Sequence, residues 1–170
     1  MVDLIKEVEY DLDLQDLKNL VEDFFSNDFV IRFKGVALQH RNGVAYPWSL
    51  VDGLESLKNY NNINEKDFAV INEFFCNRPV EKIINHFSLY RTRIMKLEGR
   101  SCYSIHKDQT WRLHIPIQTN SNCFFYFPKY KQDFYLEQGK VYLVNTSELH
   151  TFVNTDSTER YHLLGCIDTL

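Results

Sequence analysis

From Trp111 to Ile117 every second side chain is apolar, Trp111, Leu113, Ile115 and Ile117, with Arg112 and His114 set between them. Alternate side chains of an extended strand take opposite faces, so the apolar set faces a covering layer and the polar set faces away from it. Ahead of this strand a short turn at 107–110 follows the extended residues from Ser104, and it brings His106 and Asp108 to the polar side. Charged groups directed into an enclosed space need ligands or partners, so the pattern predicts a polar binding site inside a β structure.

The same short-period pattern fills the chain after Ser88. Eight segments, 89–97, 103–106, 111–118, 123–127, 134–136, 141–145, 150–154 and 160–167, are separated by turn residues at Glu98-Gly99, 119–122, 137–139 and 154–157. Eight short strands without helices between them predict an antiparallel sandwich or barrel. The first half reads differently. Leu14, Leu17, Leu20, Val21 and Phe24 recur at helical spacing behind Asp13, a suitable N-cap, and predict a helix over 13–25. Pro79 in a first-turn position starts a second helix over 79–87, with His86 as a cation near its end. A strand over 29–39 ends in the turn at His40, which reads as a solvated loop residue. The Asn-rich stretch 44–67 predicts an irregular excursion with a short helix over 54–60, either a lid or a plain surface loop. The helices are expected to cover one face of the β structure.

With 170 residues, 44% hydrophobic and 15% aromatic, the chain can bury one sizeable core. It contains no repeat or linker, so a single domain over 1–170 is expected, with 1–88 as cover and 89–170 as the β core. The net charge of −4, the pI near 5.8 and the scattered basic residues supply no field for nucleic-acid phosphates. No apolar run approaches the ~20 residues of a membrane span, and the acidic start does not read as a signal peptide. A cytoplasmic protein without nucleic-acid or membrane partners is therefore expected. Cys76, Cys102, Cys123 and Cys166 lie far apart with no Cys-x-x-Cys pair, which fits reduced thiols packed as small hydrophobes.

His106-x-Asp108, followed much later by His150, has the composition of a two-histidine, one-carboxylate facial triad. Such a set occupies one face of an octahedral ion and leaves three positions open, which suits Fe(II) better than calcium or a closed zinc site. Arg160 follows ten residues after His150, on a strand expected to pair with it.

These residues carry a resemblance. His106-x-Asp108, Arg112-x-His114-Ile-Pro-Ile, Gly139-x-Val-Tyr-x-Val-Asn-Thr, His150-Thr-Phe-x-Asn and Arg160-x-His162-Leu-Leu resemble, in order and spacing, the aspartyl/asparaginyl β-hydroxylase-type family of Fe(II)/2-oxoglutarate-dependent oxygenases. The resemblance runs from about Tyr90 to the C-terminal end. It implies a double-stranded β-helix, the jelly-roll barrel of the cupins, with Fe(II) held by His106, Asp108 and His150. Arg160 would then pair with the distal carboxylate of 2-oxoglutarate, and Arg112 and His114 would lie around the cosubstrate carboxylates. Asp108 is similar to the third ligand of bacterial free-amino-acid hydroxylases, proline hydroxylases included, whereas members closest to the animal aspartyl β-hydroxylases lack it. A planar guanidinium suits the role given to Arg160, because it grips a carboxylate bidentately and stays charged when buried.

The expected activity is a 2-oxoglutarate-dependent dioxygenase that hydroxylates an amino acid, free or in a peptide, using O2 and supported by ascorbate. No catalytic residue is expected beyond the metal ligands. The alternative is a non-catalytic metal-binding cupin-like module that holds a small carboxylate. The bland readings are an ion pair of Arg160 with Glu159 or Asp156, a hydrogen-bonded structural His162, and core roles for Phe124, Phe125, Tyr126 and Phe127. Arg93 is read as either surface or a reader of a substrate carboxylate at the pocket mouth.

Overall fold

Polar–apolar alternation in the central strands decides which face of the larger sheet the helices cover. The computed structural model describes residues 3–26, 34–41 and 64–168. In chain order these residues form β1 (Ile5–Val8), α1 (Leu14–Phe25), β2 (Gly35–Ala37), β3 (Gln39–His40), β4 (Val70–Ile71), α2 (Pro79–His86), β5 (Tyr90–Leu97), β6 (Ser101–Cys102), β7 (Trp111–Gln118), β8 (Cys123–Phe127), β9 (Gln132–Phe134), β10 (Val141–Val144), β11 (Thr151–Asn154) and β12 (Arg160–Ile167). Single 3-10 turns occupy Glu65–Asp67 and Glu73–Phe75. The helix expected over 54–60, and most of the excursion containing it, lie outside the described residues, as does the first part of the strand expected over 29–39.

Two antiparallel sheets carry the fold, a six-stranded one ordered β1-β10-β7-β12-β5-β2 and a four-stranded one ordered β6-β11-β8-β9. From β5 onward the chain passes back and forth between them. β5, β7, β10 and β12 belong to the larger sheet, and β6, β8, β9 and β11 to the smaller. This alternation makes a double-stranded β-helix with the two sheets face to face. Rings from both sheets meet in the space between them, His114 of β7 against Phe125 of β8 at 5.0 Å and His162 of β12 against Phe152 of β11 at 5.3 Å.

On the opposite face of the larger sheet, Leu113, Ile115 and Ile117 are fully buried with Ile94 and Leu163 against Leu17, Leu20 and Val21 of α1 and Val80, Ile83 and Ile84 of α2. The helices are thus the covering layer the alternation requires. α1 begins where expected, since the Asp13 carboxylate accepts a hydrogen bond from the Asp16 backbone N–H at 3.1 Å. α2 starts at Pro79, and His86 near its end packs its ring on Tyr10 and Phe87. The inner apolar cluster is built from Phe125, Phe127, Tyr142, Val144 and Phe152. Phe124 and Tyr126, expected in the core with their neighbours, are only half-buried because they take the outer face of β8.

Candidate active site

His106 and His150 come from distant parts of the chain and meet through an isolated antiparallel bridge. Each backbone N–H donates to the other residue's carbonyl, at 3.0 and 2.9 Å. Their rings lie 4.5 Å apart between centroids. His106 Nδ1 is 2.7 Å from the Ser104 carbonyl, and His150 Nδ1 is 2.9 Å from the Glu148 carbonyl. A carbonyl can only accept, so both Nδ1 atoms carry the proton and both Nε2 atoms keep a free lone pair. Asp108 is fixed from behind by its backbone N–H, which donates to Thr146 O at 2.8 Å. One donor atom from each of His106, Asp108 and His150 lies within 4.8 Å of the other two, so the expected ligand set converges on one point. Burial lowers the His150 pKa below its ordinary value, which favours the neutral imidazole a metal requires.

The inward residues of β7 and β12 line the space next to this point. Arg160 is 1% exposed and its guanidinium lies over the Phe152 ring at 4.0 Å. Its Nε and Nη1 meet no hydrogen-bond acceptor among the described residues. The ion pair with Glu159 does not form, because that carboxylate binds Lys96 at 3.1 Å, and Asp156 turns to Asn122 and Thr158 instead. His114 Nδ1 and both ring nitrogens of His162 are likewise buried without a partner among the described residues. Burial pushes both imidazoles well below their ordinary pKa, and the nearby Arg160 charge adds to the effect, so they are neutral. Burial lowers Arg160 too, but a guanidinium starts so high that it keeps its charge. A buried cation with two orphaned N–H groups, beside two unsatisfied neutral imidazoles, calls for an anion with several acceptor oxygens.

Arg112 shares this interior but its fork is already engaged. Its Nη2 lies 2.7 Å from Glu65 Oε1 and its Nη1 3.2 Å from Glu65 Oε2, while Nη2 is also 3.4 Å from Asp108 Oδ1. The structure therefore sets Arg112 behind the Asp108 carboxylate, with its fork on an internal carboxylate, Glu65. Arg93 is buried rather than a surface residue, and burial, then the charge of Arg91, pushes its pKa down to about 10. Glu65 was not among the residues the sequence pattern singled out. A lone carboxylate at the end of an Asn-rich stretch carries no signal of burial, and its partners lie on strands remote in sequence.

The fold has solved counterparts. The viral collagen prolyl hydroxylase vCPH from Paramecium Bursaria Chlorella virus-1 superposes over 98% of this chain and 91% of its own, with a TM-score of 0.53 and 9% identity. A Pseudomonas putida prolyl-4-hydroxylase covers 98% of this chain and 88% of its own, with a TM-score of 0.49 and 9% identity. At such identity the viral enzyme is evidence for the shared fold alone. No curated protein sequence matches the chain. A family model described as Aspartyl/Asparaginyl beta-hydroxylase matches residues 17–168, which takes in β7, β11, β12 and all six residues of the expected site. With nearly the whole chain matched, this protein belongs to the aspartyl/asparaginyl β-hydroxylase family.

Proposed function

We propose that this protein is an Fe(II)- and 2-oxoglutarate-dependent dioxygenase that hydroxylates an amino acid, free or within a peptide. One juxtaposition carries the reading: the convergent donors of His106, Asp108 and His150 share an interior with the Arg160 guanidinium, which is buried and meets no anion among the described residues. The donor set fits Fe(II), because two neutral imidazoles and one carboxylate leave room for a chelating cosubstrate. The orphaned Arg160 nitrogens fit the distal carboxylate of a 2-oxo diacid.

When bound, iron and 2-oxoglutarate supply oxidative decarboxylation coupled to hydroxylation of a substrate C–H bond by O2. The chain's own residues bind, orient and exclude. The Ser104 and Glu148 carbonyls hold the two imidazoles in the tautomer that presents Nε2. Arg160 would anchor a carboxylate of the cosubstrate through its N–H donors, with His114 of the neighbouring strand β7 as a further contact. Phe125, Phe127 and Phe152 keep the interior dry, which strengthens each of these charge interactions. The family supports an aspartyl or asparaginyl substrate, and the Asp108 resemblance to free-amino-acid hydroxylases adds proline to the candidates. The four cysteines, all free thiols, suit a reducing cytoplasm.

The test is succinate formation by the purified protein with Fe(II), ascorbate, O2 and 2-oxoglutarate. It is run over a panel of free amino acids and short peptides containing Asp, Asn or Pro, with His106→Ala as the blank. Succinate above the blank, stimulated by a panel member, is expected. Iron binding with no succinate under any condition would replace this reading with that of a carboxylate-binding module. Arg160→Ala is expected to weaken 2-oxoglutarate binding to the Mn(II)-loaded protein by about 100-fold, the scale seen when one partner of a buried charge pair is truncated. Titration calorimetry under nitrogen measures it.

A further inference from the structure

Glu65 is a buried carboxylate with every lone pair occupied. Its backbone is set by local turn chemistry: the Asn64 side chain accepts from the Lys66 N–H, and the Asp67 carboxylate accepts from the Asn64 N–H, both at 2.9 Å. From that turn the Glu65 side chain enters the larger sheet and is 2% exposed. Its Oε1 accepts from Arg91 Nη1 on β5 and from Arg112 Nη2 on β7, both at 2.7 Å. Its Oε2 accepts from Thr110 Oγ1 at 2.9 Å and from Arg112 Nη1 at 3.2 Å. Burial pushes this carboxyl up, but the Arg112 and Arg91 charges together outweigh it and hold the group below its ordinary pKa.

Those contacts lead to the ligand set. Arg112 Nη2, pinned by Glu65, stands 3.4 Å from Asp108 Oδ1. Thr110 closes the same turn from the other side, since its carbonyl accepts from Thr146 Oγ1 at 2.6 Å while the Asp108 N–H donates to the Thr146 carbonyl at 2.8 Å. The Asp108 carboxylate is otherwise held only by the turn it sits on, and it is partly exposed. We propose that Glu65 is a positioning residue of the metal centre: through Arg112 and Thr110 it fixes the turn 107–110 and the Asp108 carboxylate, and so ties the end of the 44–67 excursion to the ligand set. The assignment rests on the proposed metal role of His106, Asp108 and His150. It also moves Arg112 from the cosubstrate to the carboxylate ligand, because a fork engaged by Glu65 and Asp108 has no face left for a second anion.

The test measures Mn(II) binding to the full chain without cosubstrate, by the loss of the free-ion EPR signal. Glu65→Gln is expected to lower Mn(II) affinity by about tenfold to hundredfold, the usual effect of losing a partner that orients a ligand. Arg112→Lys, which gives up the planar fork, is expected to do the same. The double variant should be no weaker than the worse single one, because both act through one chain of contacts. If Glu65→Gln alone does not fold, owing to two uncompensated guanidiniums, Glu65→Gln with Arg91→Gln restores the charge balance and is measured in its place. A folded variant with Mn(II) affinity within about twofold of the parent overturns the positioning role and leaves Glu65 as a fold-stabilising ion pair alone. Tighter 2-oxoglutarate binding to Mn(II)-loaded Glu65→Gln also overturns it, since Glu65 would then be competing for Arg112. A parent chain that binds no Mn(II) overturns the proposed function itself, and the positioning role with it.

Discussion

His162 lies two residues after Arg160 on β12, fully buried, with neither ring nitrogen partnered among the described residues. The period of two puts it on the inward face, but a period cannot say whether a hydrogen-bond partner waits there, and the structural histidine expected from sequence has none. Its lowered pKa gives a stability effect of defined sign. The folded protein binds this proton less readily than the unfolded chain, whose value is near 6.5. The associated stability is fully present above that pH and is lost as pH falls towards the folded value, at about 1.4 kcal/mol per pH unit. His162→Leu removes both the titration and the orphaned nitrogens. Urea unfolding of the metal-free protein should therefore show a shallower loss of stability below pH 6.5 in the variant. An unchanged slope would mean that His162 has a partner in the folded state. Arg160 was legible for a different reason: its spacing from His150 follows a family motif, whereas its isolation from Glu159 and Asp156 emerges only from three dimensions. Glu65 was illegible on both counts, with no motif and no nearby partner.

Among the elements, β7, β8 and β12 have the bounds that alternation predicts, because each is flanked by turn chemistry and lies where one face is apolar. β6 differs. The ladder expected over 103–106 forms at Ser101–Cys102, and beyond it only Tyr103 and His106 bond to the neighbouring chain. Beyond the break the two histidines meet across the isolated bridge. β9 also falls earlier than 134–136, because the tight turn after Phe127, with Lys131 at a φ of 53°, sets the hairpin register from its closed end. β1 gave no expectation, since its four residues carry two charges and pair only at the sheet edge. The turn joining β5 to β6 holds a close approach that alternation does not reveal. A Cβ on Gly99 would lie 2.3 Å from the Ser157 carbonyl oxygen, in the turn between β11 and β12. Gly99→Ala must push two turns apart, and a loss of about 1–3 kcal/mol is expected from such overpacking. Thermal unfolding reads it directly, and an unchanged midpoint would show that the turns separate at no cost.

For the whole molecule, one alternating pattern sorts the residues into a covered apolar face and an enclosed polar one, and this much was readable before any coordinates. The joining of the ligand set was readable only as an expectation, because it depends on two segments that become neighbours late in the sequence. Their junction is an isolated bridge, set apart from the two-residue ladder that joins the same segments at Ser101–Cys102 and Val153–Asn154. An unfolded chain keeps His150 far from His106 and Asp108, so a divalent ion held by all three, as proposed, would favour the native state. Stability should then rise with ion concentration, by about 2.7 kcal/mol at a hundredfold excess over Kd. Closing the long loop between the two segments is costly in entropy, so this pairing should form after the folding barrier. An interaction formed that late slows unfolding and leaves refolding almost untouched. Stopped-flow measurements should find that a chelator speeds unfolding of the Mn(II)-loaded parent, has no effect on His106→Ala, and leaves both refolding rates alone. The ion would act as a kinetic latch: the bridge that brings the proposed ligands together would also set how long the folded protein lasts.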